Sequence, residues 1–206
     1  MFKSSTAAVA ALALFSSSAE AKVSWGGCPN VQMMSDFDPA RYSGKWYEIV
    51  RDRMNPMTLT ADCVTKEFAP YDEGDDKMDL YFRGHYMGFG YRGATGALWE
   101  CEDGSADSWT CKATMGGSSK RSPFGVFYTD YDNIEIYYSC EEWGWWKYES
   151  FALAARTPQI TREALALATQ VIDDKIPQYS ISDSWTFYWT GQSPSVPCQY
   201  DWKFDE

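Results

Sequence analysis

Histidine occurs once in the 206 residues, at His85. That scarcity excludes the serine–histidine and cysteine–histidine arrangements on which nucleophilic hydrolases depend. With no Cys-x-x-Cys pair beside it, no metal site is expected either. Between Gly84 and Tyr86, a lone histidine reads as a surface or pocket hydrogen-bonder. Positive charge is also short: 18 Lys and Arg stand against 29 Asp and Glu, a net charge of −11. A phosphate backbone needs a basic stripe, so nucleic acid is excluded as a partner, and the acidity reads as solubility. No apolar run reaches the ~20 residues of a membrane-crossing helix. The apolar run Ala7–Phe15 follows Lys3 and precedes Ala19-Glu20-Ala21, the layout of a secretory signal peptide. Residues 1–21 are set aside on that ground. Residues 22–206, which lack an internal repeat, a low-complexity tract or a linker, are expected to form one exported domain, secreted or in the lumen of an export-pathway compartment.

Cysteine and aromatic residues are plentiful. Six cysteines (28, 63, 101, 111, 140 and 198) on an export route imply disulfides, with fifteen pairings open in principle. Aromatics make up 17% of the chain, more than a small core consumes.

The chain begins its regular structure at Asp38, which suits the cap of a short helical turn with Pro39 at its first position. Gly44 then forms a corner into the aromatic and β-branched run from Lys45 to Val50. Strands are expected at about 44–53, 62–70, 77–86, 91–101, 108–115, 123–130, 133–141 and 147–156, separated by hairpin-length turns. Eight such strands predict an all-β antiparallel up-and-down barrel over about 44–156, wide enough for one small ligand. One amphipathic helix over about 161–174, capped by Thr161, is expected to lie outside it, and Ser184–Trp189 to add an edge strand.

Three words carry a family resemblance. Gly44-x-Trp46 after Phe37-Asp38, Thr129-Asp130-Tyr131, and Arg156 closing Phe151–Arg156 resemble the three signatures of the lipocalins, in matching order. Alternation of ends in a meander brings all three to one end. There Arg156 is expected to stack on Trp46 and Asp130 to accept backbone hydrogen bonds. Gly27-Cys28-Pro29-Asn30 and Thr129–Cys140 are most similar to the apolipoprotein D and bacterial outer-membrane lipocalin type, although no Asn-x-Ser/Thr glycan acceptor is present. The resemblance implies pairings Cys28–Cys140 and Cys63–Cys198. Cys101 and Cys111 flank Asp103-Gly104 in neighbouring strands, and a cross-hairpin bridge there contributes ~3 kcal/mol in the chain-entropy account.

The resemblance implies a carrier of a small hydrophobic ligand: a lipid, retinoid, sterol, bilin or carotenoid. It requires no cofactor beyond such a bound lipid or pigment. Pocket-side positions carried over from the family are Glu48, Val50, Phe68, Phe127, Tyr148 and Ala152. Two alternatives stand beside it. One is a structural subunit with an empty barrel. The other is an enzyme similar to the xanthophyll de-epoxidases, whose lipocalin core shares Phe-Asp-Pro and Asp62-Cys63; Asp62 would then be the general acid. At the open end, Met54, Pro56, Met57, Leu59, Met87, Phe89, Met115, Trp143, Trp145 and Trp146 form an apolar collar, expected to meet a membrane surface or a partner protein, or to fold inward as a lid.

Overall fold

The computed structural model describes residues 23–201 apart from 54, 56–57, 102–109, 178, 185 and 193–196. The signal-peptide segment and Asp103-Gly104 therefore lie outside the described residues. Eight strands run as a meander: β2 (Gly44–Asp52), β3 (Ala61–Phe68), β4 (Lys77–Tyr86), β5 (Gly90–Trp99), β6 (Cys111–Met115), β7 (Ser122–Thr129), β8 (Ile134–Trp143) and β9 (Trp146–Ala155). Each pairs antiparallel with the next, and β9 returns to β2 through Tyr47↔Ala155 and Arg51↔Ala152, which closes the expected eight-stranded barrel. Two short strands flank it. β1 (Val23–Trp25), which the sequence reading missed, pairs with β9, and β10 (Phe187–Trp189) pairs with β2.

The closed end is assembled by the three family words. Helix α1 (Pro39–Tyr42) is capped by Asp38, whose Oδ1 accepts from the Arg41 amide at 3.1 Å. Gly44 follows with φ +98°, a conformation that disfavours side chains, and a Cβ there would lie 3.2 Å from Arg156 Nη1. Trp46, fully buried, donates its indole N–H to the Tyr42 carbonyl at 2.9 Å. The Arg156 guanidinium sits 3.6 Å from the Trp46 ring centroid and donates to the carbonyls of Tyr131, Lys45, Arg41 and Tyr42. Asp130 accepts from the amides of Asn133 at 2.8 Å and Ile134 at 2.9 Å. Burial works to raise its carboxyl, but these hydrogen bonds outweigh it and hold it below the ordinary value. Thr129 Oγ1 accepts from the Tyr131 amide, and the Tyr131 hydroxyl ties back to Asp36 and Asp38.

Helix α2 (Arg162–Lys175) begins at Thr161, whose side chain accepts from the Ala164 amide at 3.1 Å. It buries Ala168 and Ile172 on the barrel exterior against a second core that includes Ile134, Ile136, Leu153 and Phe187. All three disulfides form as expected: Cys28–Cys140, Cys63–Cys198 and Cys101–Cys111. The C-terminal segment does more than trail from the helix. β2 and β3 pair only from Gly44↔Phe68 to Tyr47↔Thr65, and beyond that point the tail enters between them. The Thr190 amide donates to Ile49 O, the Cys63 amide donates to Gly191 O, and the Gln192 amide group donates to both Glu48 O and Val64 O.

Candidate functional site

A cavity of about 300 Å³ opens at the end opposite the signatures, between turns that contribute Asn55, Thr58, Ser118 and Lys120. Its floor rests on the ring cluster of Tyr42, Trp46, Phe68 and Phe124. One wall, from β4, β6 and β7, is mainly apolar: Leu80, Phe82, Ala113, Met115 and Phe124. The facing wall, from β8 and β9, presents Tyr137, Ser139, Tyr148 and Ser150. The Tyr137 hydroxyl donates to Ser139 Oγ at 2.8 Å, and Asn55 Nδ2 approaches Ser150 Oγ at 3.4 Å. Burial raises both tyrosines, Tyr148 to about 12, so both hydroxyls stay protonated and neutral at physiological pH.

Three charged pairs stand in or against this lining. Lys66 Nζ lies 3.0 Å from Glu135 Oε1 and 5.3 Å from the Tyr137 ring centroid, and the other Glu135 oxygen accepts from the Tyr42 hydroxyl at 2.7 Å. Arg51 donates to Glu48 at 2.9 Å, to Thr190 Oγ1, and to the carbonyls of Thr58 and Ala61, while its guanidinium covers the Tyr188 ring. At the mouth, Lys120 pairs with Glu141. Burial works to raise the Glu141 carboxyl, but hydrogen bonds from Lys120 and Ser122 outweigh it and lower it.

Of the six expected pocket-side residues, Glu48, Tyr148 and Ala152 line the cavity. Val50, Phe68 and Phe127 do not, and each misses for a geometric reason. A bulge between Glu48 and Val50 inserts one residue against β9, so Ile49 and Val50 both join the exterior core and Arg51 turns inward. On β7, Phe124 and Val126 face inward, and Phe127 stands in a register shift between Val126 and Tyr128 that leaves both Phe127 and Tyr128 against the exterior core beneath α2. Phe68 has the inward parity but lies lower, in the floor.

Asp62 is likewise absent from the lining. The register shift between Asp62 and Thr65 turns it outward, where Oδ1 accepts from the Gly191 amide at 2.9 Å and the Tyr188 hydroxyl at 3.0 Å. His85 packs its ring on Tyr91, and no group of His, Cys, Asp or Glu suited to a metal occurs among the described residues. The sequence reading missed Lys66, Glu135 and Arg51. Lys66 was within reach, since it shares the parity of Phe68 on one strand.

At the rim, Met87 and Phe89 are 74% and 70% exposed and Trp145 is 81% exposed. Trp143 and Trp146 pair across the hairpin turn at Gly144-Trp145, where Gly144 takes φ +71°. Trp146 also packs on Trp25 of β1 at 3.8 Å, and Trp143 stacks on the cavity residue Tyr148. Met115 departs from the expected collar by lining the cavity. Met54, Pro56 and Met57 lie outside the described residues.

No family model matches the chain. It is 30% identical over 117 residues to bilin-binding protein of Pieris brassicae and 28% identical over 119 residues to retinol-binding protein 4-B of Oncorhynchus mykiss. These alignments cover 56% and 55% of this chain, and the chain spans 59% and 65% of those relatives' lengths. Among solved structures, insecticyanin of Manduca sexta aligns with a TM-score of 0.69 at 21% identity, covering 87% of this chain and 93% of that one. Apocrustacyanin C2 aligns with a TM-score of 0.61 at 19% identity, covering 83% and 96%. The fold is the lipocalin fold, and the curated relatives support the lipocalin family.

Proposed function

We propose that the chain is a secreted lipocalin that binds and carries one small hydrophobic molecule in its barrel. The observation that carries this reading is the cavity itself: a space of about 300 Å³ with an aromatic floor and one apolar wall. That volume is at the lower end of ordinary small-molecule sites. The named ligands of the two relatives, a bilin and retinol, belong to the same broad class. Within the lipocalins, the stretch Thr129–Cys140 and the pair Cys28–Cys140 favour the apolipoprotein D type. The rim of Met87, Phe89 and the hairpin tryptophans suits an open end that meets a membrane or a partner protein during loading and release.

Native purification, solvent extraction and mass spectrometry test the carrier reading. The expected result is one apolar compound near one-to-one stoichiometry. A preparation that carries nothing and quenches with no retinoid, sterol or bilin would sink it. The de-epoxidase alternative loses support from geometry, because Asp62 holds the C-terminal segment outside the cavity. Its assay is simple. Ascorbate-dependent loss of epoxide-xanthophyll absorbance at acidic pH, abolished in Asp62→Asn, would restore it.

A further inference from the structure

Among the described residues, each ionised side chain that lines the cavity already has an opposite charge against it. Glu48 is 2.9 Å from Arg51, Lys66 is 3.0 Å from Glu135, and Glu141 is paired with Lys120. Three carboxylates thus meet three cations, and the lining with its partners carries no net charge. Lys66 is the deepest cation, and its charge is claimed from below: Glu135 is fully buried, and its second oxygen is occupied by the Tyr42 hydroxyl. A ligand carboxylate brought to Lys66 would lose its hydration and meet a cation already neutralised, leaving a buried cluster with a net negative charge. The hydroxyls along the facing wall are neutral and already bonded to one another and to neighbours, Tyr137 to Ser139 and Ser150 to Asn55. Tyr137, Ser139, Tyr148 and Ser150 stand along the β8–β9 wall, and hydroxyls both donate and accept. Opposite them the wall of β4, β6 and β7 is mainly apolar.

We propose that the cavity selects a neutral, elongated apolar molecule bearing hydroxyl or carbonyl oxygens along one edge, and rejects the same molecule when it carries a carboxylate. This rests on the carrier reading and narrows it to one ligand class. The carboxyl of Asp52, which sits behind Ser150 and is pushed up to about 7 by burial, adds negative charge near this wall above neutral pH and works in the same direction.

Retinol, methyl retinoate and retinoic acid share one polyene body and differ only at the head, so they serve as probes. Titration at pH 8, read by quenching of tryptophan fluorescence, is expected to give retinol and the ester comparable affinities and the acid at least about tenfold weaker, a factor that corresponds to about 1.4 kcal/mol. Glu135→Gln leaves the Lys66 cation without its carboxylate and is expected to strengthen acid binding at least about tenfold while the ester changes little. Equal binding of acid and ester by the wild-type protein overturns the proposal and leaves the carrier reading standing. A folded Glu135→Gln protein that gains no acid affinity overturns it too, since discrimination would then come from shape. Failure of all three probes to bind overturns the carrier reading for ligands of this size, and the proposal with it. The wild-type ratio needs no variant, so the test survives a Glu135→Gln protein that does not fold.

Discussion

Three residues set expectations that can be measured by substitution. Arg156 and Trp46 act as one unit, the guanidinium lying 3.6 Å from the ring centroid while it bonds four carbonyls. Trp46→Ala opens a cavity in the closed end and is expected to cost ~3–5 kcal/mol, and Arg156→Ala rather less. In a double-mutant cycle followed by urea unfolding, the two losses should fall short of additivity by about 0.5–2 kcal/mol, and strict additivity would mean that the contact contributes nothing. Asp52 behaves differently. Almost wholly buried and, among the described residues, without a direct ion pair, it accepts from the Phe151 amide at 3.2–3.3 Å and from Ser150, and burial raises its carboxyl from 3.8 to about 7. A raised folded value means that its contribution to stability is fully present below pH ~4 and is lost as pH rises through about 7. The loss amounts to at most about 4 kcal/mol. Asp52→Asn keeps an acceptor for the Phe151 amide and removes the titration. The variant should therefore gain on the wild type between pH 5 and pH 8 in parallel urea melts. Curves that run parallel across that window would show that Asp52 does not titrate there.

At the scale of elements, the C-terminal segment is the least conventional part. It replaces the missing upper half of the β2–β3 ladder, and Thr190 and Gln192 bind the Arg51–Glu48 pair and the backbone of both strands. The Cys63–Cys198 bridge closes a long loop and holds that insertion in register. Replacing both cysteines by serine is expected to cost ~2–5 kcal/mol. It should also speed hydrogen exchange at the Cys63 and Thr190 amides ahead of the β8–β9 hairpin. Unchanged exchange at those two amides would show that hydrogen bonding alone secures the segment. The bulges in β2 and β3 are elements in the same sense, since each inserts a residue and reverses which side chains see the cavity.

For the whole molecule, the rim and the net charge act together. With a charge of −11 the protein is repelled by anionic surfaces, so any membrane contact of the open end rests on apolar residues. Changing Trp143, Trp145 and Trp146 to serine should reduce association with zwitterionic liposomes several-fold and spare affinity for a soluble ligand. The reverse pattern, with ligand affinity lost and association kept, would make the rim a lid, a role to which the stacking of Trp143 on Tyr148 already gives a route.

Local sequence determined a great deal of this. Strand and turn composition is a short-range property, so the eight strands, the Thr161 cap and the Asp38 turn follow from residues a few places apart. The three signature words meet because a meander alternates ends, and all three disulfides form as the resemblance and the hairpin implied. Only the tertiary structure decided which residues face the cavity. Parity depends on bulges, and a bulge is set by how two distant strands twist against each other; Val50 and Asp62 turn away for that reason. Charge neutrality inside the barrel was likewise invisible along the chain. Lys66 and Glu135 lie on β3 and β8, far apart in sequence, and their pairing exists only because barrel closure brings the two side chains together in an interior where neither ion could stay alone.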